Sequence, residues 1–239
     1  MEWNPIVEKV TPYLVRIETP RGHGTGFLCF HSDAKEFTAV ATALHVVEHA
    51  DTWQEPIRIY NQASKSSVFL RDSDRVIYTD WERDSAVILF SFGKLKLPEE
   101  VIPLRPTENR LTVAAEVGWL GYPAPASYTL CFFSGNISAW QEFRHAYLID
   151  GVAINGVSGG PVVYSTAADG VQIVGTISAY MANRATGESL PGLSVAQDVS
   201  SLHDHVRNIK TMDEARRKRE LEKKEPPAES AGSPTSRST

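Results

Sequence analysis

The sequence predicts an all-β protein whose antiparallel strands are divided between two halves of similar size. Nearly every apolar segment before residue 197 is short, rich in β-branched or aromatic residues, and bounded by turn residues. Many short strands at this spacing are typical of antiparallel barrels or sandwiches, not of a parallel sheet with helices between its strands. Three prolines fall between Leu97 and Arg110, which indicates a linker between the two halves.

The predicted strands are rich in β-branched and aromatic residues, and most of them end at glycine, proline or polar residues. Those of the first half are Tyr13–Glu18, Thr25–Phe30, Phe37–Ala41, Ile57–Tyr60, Ser67–Leu70, Val76–Tyr78 and Ser85–Phe90. Those of the second half are Glu116–Gly121, Tyr128–Ala139, Ala146–Ile149, Pro161–Tyr164, Val171–Tyr180 and Leu193–Gln197.

The apolar period changes near the end of the chain. Apolar residues from Val199 to Ile209 fall on one helical face, so residues 198–209 are predicted to form an amphipathic helix that closes the fold. Residues 210–239 are predicted to be a charged and largely disordered tail, because they lack an apolar face and become rich in proline and serine. Such a tail could dock a partner, although a solvated extension is the simpler interpretation.

Composition and charge narrow the class of protein. A net charge of −5 at pH 7 gives no overall basic field, so nucleic acid is not an expected partner. No apolar stretch approaches the length of a membrane span, and the first residues lack the pattern of a secretory signal. Cys29 and Cys131 each lie inside an apolar run, which predicts free thiols in a reducing compartment. We therefore expect a cytoplasmic protein without a membrane partner.

Residues 156–161, Gly-Val-Ser-Gly-Gly-Pro, form the chemically most informative motif. Serine between glycines suits a nucleophile on a tight turn, because glycine allows the backbone N–H groups of Gly156 and Ser158 to point at an oxyanion. A serine nucleophile also needs a base that is itself held by a carboxylate. His45 and Asp84 can supply these two groups upstream, with Asp74 and Asp80 as nearby alternatives to Asp84.

The same motif also fits G-x-S-x-G, the nucleophile elbow of α/β-hydrolases. That fold requires a helix directly after the serine and places its acid and histidine later in the chain. Ser158 is instead followed by Gly-Gly-Pro and an apolar strand. The late candidates Asp198, His203 and His205 lie on or beside the predicted closing helix, so this interpretation is disfavoured.

A literal H-x-x-E-H stands at residues 45–49 and matches the zinc signature of inverzincins. Two histidines four residues apart on a helix could share a metal, with Glu48 as the base. The helical segment can hardly exceed two turns, however, and the region that follows is predicted to be β and offers no third ligand. We therefore expect neither a metal nor another cofactor.

The chain order histidine, aspartate, serine is that of chymotrypsin-like peptidases. Further segments carry the resemblance: Gly24-Thr25-Gly26-Phe27, Asp84-Ser85-Ala86-Val87, Gly118-Trp119-Leu120-Gly121-Tyr122-Pro123 and Ser134-Gly135-Asn136-Ile137-Ser138. Over roughly residues 5–200 the sequence resembles trypsin-like serine peptidase domains, most closely those of the HtrA/Deg type. Too few residues follow the predicted helix for the PDZ domain of many such proteins.

The resemblance implies a chymotrypsin-like peptidase domain over residues 1–208 with two antiparallel six-stranded β-barrels. Its parts are barrel one over about 5–96, a linker over 97–110, barrel two over 111–197 and the closing helix over 198–209. The site would lie in the cleft, with His45 and Asp84 from barrel one and Ser158 from barrel two. The implied function is that of a serine endopeptidase that acts on proteins or peptides through an acyl-enzyme, with an oxyanion hole at Gly156 and Ser158.

Position 157 departs from the family pattern, since it is usually Asp or Asn and here is valine. In zymogen-activated relatives that Asp pairs with a newly cut N-terminal amine, so Val157 predicts an enzyme that is not switched on in this way. Val157 also removes a polar anchor, which predicts a plastic oxyanion loop. An alternative function is therefore a catalytically impaired, protease-like binding module.

The resemblance also implies where the primary specificity pocket lies. Val152, six residues before the nucleophile, would form its floor, and Ile177, Ser178, Ala179 and Tyr180 would form its wall strand. No carboxylate stands at that floor, so a preference for lysine or arginine is not expected. An apolar pocket of this kind suits small or medium apolar side chains.

Overall fold

Strands are the commonest regular element in a computed structural model, which describes residues 2–182 and 189–224. Within these residues there are thirteen strands and three α-helices. The helices are α1 (Trp3–Val10), α2 (Leu44–Thr52) and α3 (Ser200–Lys224). None of the helices in the described ranges combines the length and the apolar character that crossing a membrane requires.

The first half of the chain forms one antiparallel sheet of seven strands. The strands are β1 (Leu14–Thr19), β2 (Gly22–His31), β3 (Phe37–Ala43), β4 (Ile57–Asn61), β5 (Ser66–Leu70), β6 (Arg75–Asp80) and β7 (Ser85–Ser91). Their order in the sheet is β5-β4-β1-β2-β3-β7-β6. This order places β3, which leads to His45, directly beside β7, which follows Asp84.

The second half forms a closed barrel of six strands. The strands are β8 (Glu116–Gly121), β9 (Cys131–Gln141), β10 (Ala146–Asp150), β11 (Pro161–Thr166), β12 (Gly170–Ala182) and β13 (Ser189–Asp198). They are arranged in the order β10-β13-β12-β11-β8-β9, and every described pair is antiparallel. The predicted fold class, an all-β chymotrypsin-like double barrel followed by a helix, is confirmed.

The first sheet is curled but open, whereas the family resemblance implied a closed barrel of six strands. Arg75, at the start of β6, supplies the physical reason. Its buried guanidinium donates hydrogen bonds to the carbonyls of Leu70 (3.0 Å), Ala50 (3.0 Å) and Glu55 (2.7 Å). The Arg75 side chain thus binds carbonyls at the end of β5, in α2 and just before β4. The edge strands β5 and β6, which are both fully described, do not pair.

Three buried apolar clusters hold the fold together. One lies within the first sheet, and a second, which contains Trp119 and Val157, lies within the barrel. The third cluster joins the two halves, because it combines Phe27 of β2 with Leu120 of β8 and Ile209 of α3. Burial of this shared cluster fixes the position of one half against the other, since removing apolar surface from water is the main stabilising force in folding.

Helix α1 was not foreseen by the periodicity of the sequence, and it connects the start of the chain to the barrel. Its Trp3 indole N–H donates to Glu116 at 2.8 Å, and its ring centroid lies 5.2 Å from that of Phe132. Gly118 makes room for the indole, because a Cβ at that position would stand 2.7 Å from the Trp3 ring. The helix therefore packs against barrel strands, although β1, which follows it closely, belongs to the other half.

Helix α3 continues to Lys224, although the apolar pattern predicts an end near Ile209. The extension is polar and is supported by ion pairs at helical spacing. Arg216 pairs with Asp213 (3.1 Å) and Glu220 (3.2 Å), as expected for side chains three and four residues apart on one helix face. The remainder of the predicted tail, residues 225–239, lies outside the described residues.

Helix α3 should therefore stabilise the fold through its first half only. Ile209 is 2% exposed and Leu221 is 66% exposed. We expect Ile209→Ala to lower the free energy of unfolding by about 2–5 kcal/mol, because it leaves a cavity in the cluster shared by both halves. The matched control Leu221→Ala should change it by less than about 0.5 kcal/mol. Urea unfolding followed by tryptophan fluorescence measures both, and equal losses would contradict this division of the helix.

Candidate active site

Asp84 caps the helix that carries His45. Helix α2 begins at Leu44, and the residue before it, Ala43, has no side chain that can accept a hydrogen bond from the first turn. Asp84 accepts instead: its backbone carbonyl binds the N–H of Leu44 (3.0 Å) and its Oδ1 binds the N–H of His45 (3.0 Å). Two N–H groups that a helix start leaves unpaired are thereby satisfied by the residue that also contacts the imidazole.

The imidazole of His45 is held by the second oxygen of Asp84. Asp84 Oδ2 lies 2.8 Å from His45 Nδ1 and also accepts a hydrogen bond from the Ser178 hydroxyl at 2.5 Å. A carboxylate bound at Nδ1 fixes the tautomer, so that Nε2 is the nitrogen left to act as a base. The backbone of Asp84 has φ +46°, a left-handed conformation that aspartate tolerates better than most residues.

The charge state of Asp84 follows from the same contacts. Burial alone raises the pKa of this carboxyl, but the hydrogen bond and positive charge of His45, together with the hydrogen bond from Ser178, outweigh burial and hold the pKa below its ordinary value. The start of α2 adds its favourable dipole for a negative charge. Asp84 is therefore ionised at neutral pH and can stabilise a positively charged His45.

In the loop that carries Ser158, the backbone N–H groups of Gly156 and Ser158 have no hydrogen-bond partner among the described residues. The carbonyl of Asn155 accepts from the N–H of Ala124 (2.6 Å), and the carbonyl of Val157 accepts from the N–H of Gly160 (2.9 Å). In a trans peptide the N–H points opposite to the carbonyl, so these two bonds aim the N–H groups of Gly156 and Ser158 the other way. Neither of these N–H groups donates to any group in the described part of the chain.

Val157 anchors this loop through apolar packing and backbone bonds. Its side chain is fully buried in the barrel cluster, and its N–H donates to the carbonyl of Ile154 at 3.0 Å. The N–H of Gly159 donates to the carbonyl of Ile177 at 2.7 Å. The barrel interior therefore supplies an apolar anchor where the polar side chain is missing, and the plasticity of the loop stays a prediction.

Two cavities flank Ser158. The larger, of about 340 Å³, is lined by His45, Asp84, Ala153, Ile154, Asn155, Ser158, Ser178 and Ala179. The smaller, of about 220 Å³, is lined by Thr19, Arg21, Gly22, His23, His45, Val46, Asn155, Gly156 and Ser158. The structure thus brings His45, Asp84 and Ser158 to one cavity, although within the described chain the Ser158 hydroxyl makes no hydrogen bond. Such bonds are often long before a substrate is bound.

The structure brings only part of the predicted specificity pocket to this cavity. Ser178 and Ala179 line it, whereas Ile177 is buried in the barrel and contributes its backbone carbonyl to the loop. Tyr180 pairs through its backbone with Ser194 of β13, and its side chain lies outside the described part.

Val152 does not line the cavity and is 48% exposed. The buried indole of Trp119 explains this position. It fills the barrel interior beside Gly151, where a Cβ would stand 2.2 Å from the ring. The chain therefore passes over the ring, and Val152 turns to solvent. Ala153 and Ile154 line the cavity instead, and their place directly before the serine loop is the signal that could have identified them.

The other two interpretations of the motifs find no support in the geometry. His49 of the H-x-x-E-H segment binds Glu55 at 2.9 Å, and within the described ranges no three His, Cys, Asp or Glu side chains are arranged to hold a metal ion. Asp198 caps α3 by accepting from the N–H of Ser200 at 3.0 Å, and His203 contacts the carbonyl of Arg105 at 2.9 Å. Neither side chain is placed to assist Ser158.

The fold and this arrangement are those of a trypsin-like peptidase domain. The family model for the trypsin-like peptidase domain matches residues 24–171, which is more than half of the chain and includes His45, Asp84 and Ser158. The chain therefore belongs to this family. A comparison with curated proteins finds no match.

Solved structures of proteases share the fold. The Rv3671c protease of M. tuberculosis H37Rv, in an inactive form, superposes with a TM-score of 0.61 at 20% identity, over 86% of this chain and 93% of that one. A mutant of Rv3671c, also inactive, gives 0.59 at 18% identity, over 87% and 91%. Deg5 gives 0.61 at 19% identity, over 84% and 90%. The likeness shows that this chain shares the fold of these proteases.

Asp84 should stabilise the fold at neutral pH and not in acid. Its lowered pKa means that its contribution is complete above the ordinary aspartate value and is lost as the pH falls through the folded-state value. We expect the wild type to exceed Asp84→Asn in free energy of unfolding by about 1–3 kcal/mol at pH 7, and by progressively less as the pH falls below the ordinary aspartate value. Urea unfolding at a series of pH values from 7 downward tests this, with Asp33→Asn at an exposed site as control. A difference that does not shrink in acid would refute the assignment.

Proposed function

We propose that this protein is a serine endopeptidase that hydrolyses peptide bonds with His45, Asp84 and Ser158. The observation that carries the proposal is the single cavity that these residues line, with the His45 ring held by Asp84. Membership of the trypsin-like peptidase family supports it. The two N–H groups without partners, those of Gly156 and Ser158, supply the oxyanion hole that acyl transfer requires.

In the proposed acylation step the Ser158 hydroxyl attacks the peptide carbonyl carbon. The new C–O bond forms as the hydroxyl proton moves to Nε2 of His45, and Asp84 stabilises the resulting imidazolium. The carbonyl oxygen becomes an oxyanion that accepts hydrogen bonds from the N–H groups of Gly156 and Ser158. When the tetrahedral intermediate collapses, the C–N bond breaks and the leaving amine takes the proton from His45.

Deacylation uses the same groups with water in place of the serine. His45 takes a proton from the water as its oxygen bonds to the acyl carbon, and the second tetrahedral intermediate uses the same oxyanion hole. Collapse releases the carboxylic acid and returns the proton to Ser158. The free enzyme is then regenerated, with no cofactor consumed.

We propose that the larger cavity receives a small or medium apolar side chain. Its walls beside the serine are formed by Ala153, Ile154 and Ala179. Among the lining residues the only carboxylate is that of Asp84, and its oxygens are already hydrogen-bonded to His45 and Ser178. A lysine or arginine side chain would therefore find no free counter-charge there. The backbone of β12 from Ser178 to Tyr180 is placed to pair with an extended substrate.

The proposed compartment is the cytoplasm. Both cysteines carry free thiols, and burial raises the pKa of the Cys29 thiol to about 12, so that it is neutral and unreactive. Free thiols fit a reducing compartment. Protein or peptide substrates are the partners that the proposed activity requires.

The nucleophile can be tested with a fluorophosphonate probe. We expect the wild type to form a covalent adduct as the Ser158 oxygen bonds to phosphorus, fluoride leaves and His45 takes the proton. Ser158→Ala should form no adduct, and the exposed control Ser91→Ala should react as the wild type does. Turnover of peptide substrates should fall by about 10⁴–10⁶ in Ser158→Ala. A wild type that does not react would favour the binding module.

The substrate preference can be tested with a panel of peptides that differ only at the residue before the cleaved bond. We expect kcat/KM to be at least about tenfold higher for alanine, valine or leucine than for arginine, because the pocket walls are apolar. Ser158→Ala serves as the blank for contaminating protease. A strong preference for arginine would overturn this part of the proposal while leaving the serine mechanism intact.

A further inference from the structure

We propose that Thr25 is the positioning residue that aims the oxyanion hole. It takes over the anchoring that an Asp or Asn at position 157 would otherwise provide. This inference rests on the proposed function, because the loop has an oxyanion to bind only if Ser158 is a nucleophile. Thr25 itself contacts neither the substrate cavity nor the Ser158 hydroxyl.

Thr25 contacts the serine loop twice. It lies in β2 and is fully buried. Its hydroxyl donates to the carbonyl of Gly156 at 2.8 Å, and its backbone N–H donates to the carbonyl of Ser158 at 2.8 Å. The two residues that carry the proposed oxyanion donors are therefore both held by one residue of the opposite half of the molecule.

The Thr25 hydroxyl is also held in place from the other side. It accepts a hydrogen bond from the N–H of Tyr122 at 3.0 Å. A hydroxyl has one proton to donate, and here that proton is directed to Gly156 because the Tyr122 N–H can only donate. The orientation of the hydroxyl is thus determined, with its proton on the Gly156 carbonyl.

The Gly156 carbonyl needs such an anchor. Gly156 has φ +93°, and glycine can leave this conformation at little cost. Without a bond to its carbonyl, the peptide that joins Gly156 to Val157 would keep only the bond from the Val157 N–H to the Ile154 carbonyl, and its rotation would be less restrained. Its neighbours on both sides are the peptides whose N–H groups form the oxyanion hole, so rotation would misdirect them.

Thr25 also sets the distance between the serine loop and the base. Its carbonyl accepts from the Thr42 hydroxyl at 2.7 Å, and Thr42 stands three residues before His45 on β3. A chain of hydrogen bonds thus runs from β3, the strand that leads to His45, through Thr25, to the carbonyl of Ser158. Both partners of the proton transfer are therefore tied to the same residue.

Thr25 packs closely against the glycines of the neighbouring segments. A Cβ at Gly159 would stand 2.1 Å from the Thr25 carbonyl oxygen, and one at Gly121 would stand 2.8 Å from the Thr25 hydroxyl. The glycines that face Thr25 are therefore required by its closeness to the loop. Removing the hydroxyl would leave the Gly156 carbonyl and the Tyr122 N–H buried without a partner.

The test compares Thr25→Val, which keeps the shape and loses the hydroxyl, with Thr25→Ser, which keeps the hydroxyl. The control is Thr38→Val, which removes another buried hydroxyl from the same sheet, one that contacts His31 at the other end of β2. The readouts are the rate constant for fluorophosphonate labelling and the kcat and KM for p-nitrophenyl butyrate. Urea unfolding of each variant separates loss of activity from loss of fold.

We expect Thr25→Val to lower the labelling rate and kcat by about 10-fold to 100-fold, less than or similar to the loss of one oxyanion donor. KM should stay within about twofold, because no residue that lines the cavities is changed. The shape of the pH–rate profile should also be retained, since His45 and Asp84 keep their contacts. Thr25→Ser should restore most of the rate, and Thr38→Val should react as the wild type does.

The outcomes separate the two proposals. A wild type that is not labelled overturns the proposed function and this inference with it. A labelled wild type with a fully reactive Thr25→Val overturns the inference alone. The inference is also overturned if Thr25→Val and Thr38→Val both lose rate in proportion to their loss in free energy of unfolding. A purely structural role of Thr25 would produce that result.

Discussion

The carboxylate of Asp84 makes three contacts on which the geometry of the site depends. It caps the start of α2, holds the ring of His45, which α2 carries, and accepts a hydrogen bond from the Ser178 hydroxyl of the barrel. One side chain thus links the position of α2, the orientation of the imidazole and a barrel strand beside the cavity. Because the carboxylate is mostly removed from water, each of these donors would be left without an equivalent partner if it were lost.

In the loop that carries Ser158, hydrogen bonds made at neighbouring carbonyls set the direction of the Gly156 and Ser158 N–H groups, which have no acceptor within the described residues. The carbonyls of four consecutive residues, from Asn155 to Ser158, all accept hydrogen bonds. Their donors come from three separate segments of the chain. The contacts that orient the loop are thus made on the side opposite to the Gly156 and Ser158 N–H groups. An apolar Val157 fits this arrangement, because its burial adds stability without requiring a polar partner inside the barrel.

The sequence was sufficient for the features that local patterns encode. Short β-rich segments gave the all-β class, and the order of His45, Asp84 and Ser158 gave the residues that meet at one cavity. Long-range packing decided the rest. The open first sheet depends on the carbonyls that Arg75 meets, and the exposure of Val152 depends on the Trp119 ring beneath the preceding glycine. Neither contact has a signature in the spacing of residues along the chain.

The packing of helix α1 against the barrel has a consequence for folding during synthesis. Trp3 is synthesised more than a hundred residues before Glu116 and Phe132, the residues that it contacts. During synthesis the indole remains an exposed apolar group that must find its place after the rest of the barrel is made. Contacts this distant in sequence slow folding and lengthen the period in which an incomplete chain can aggregate.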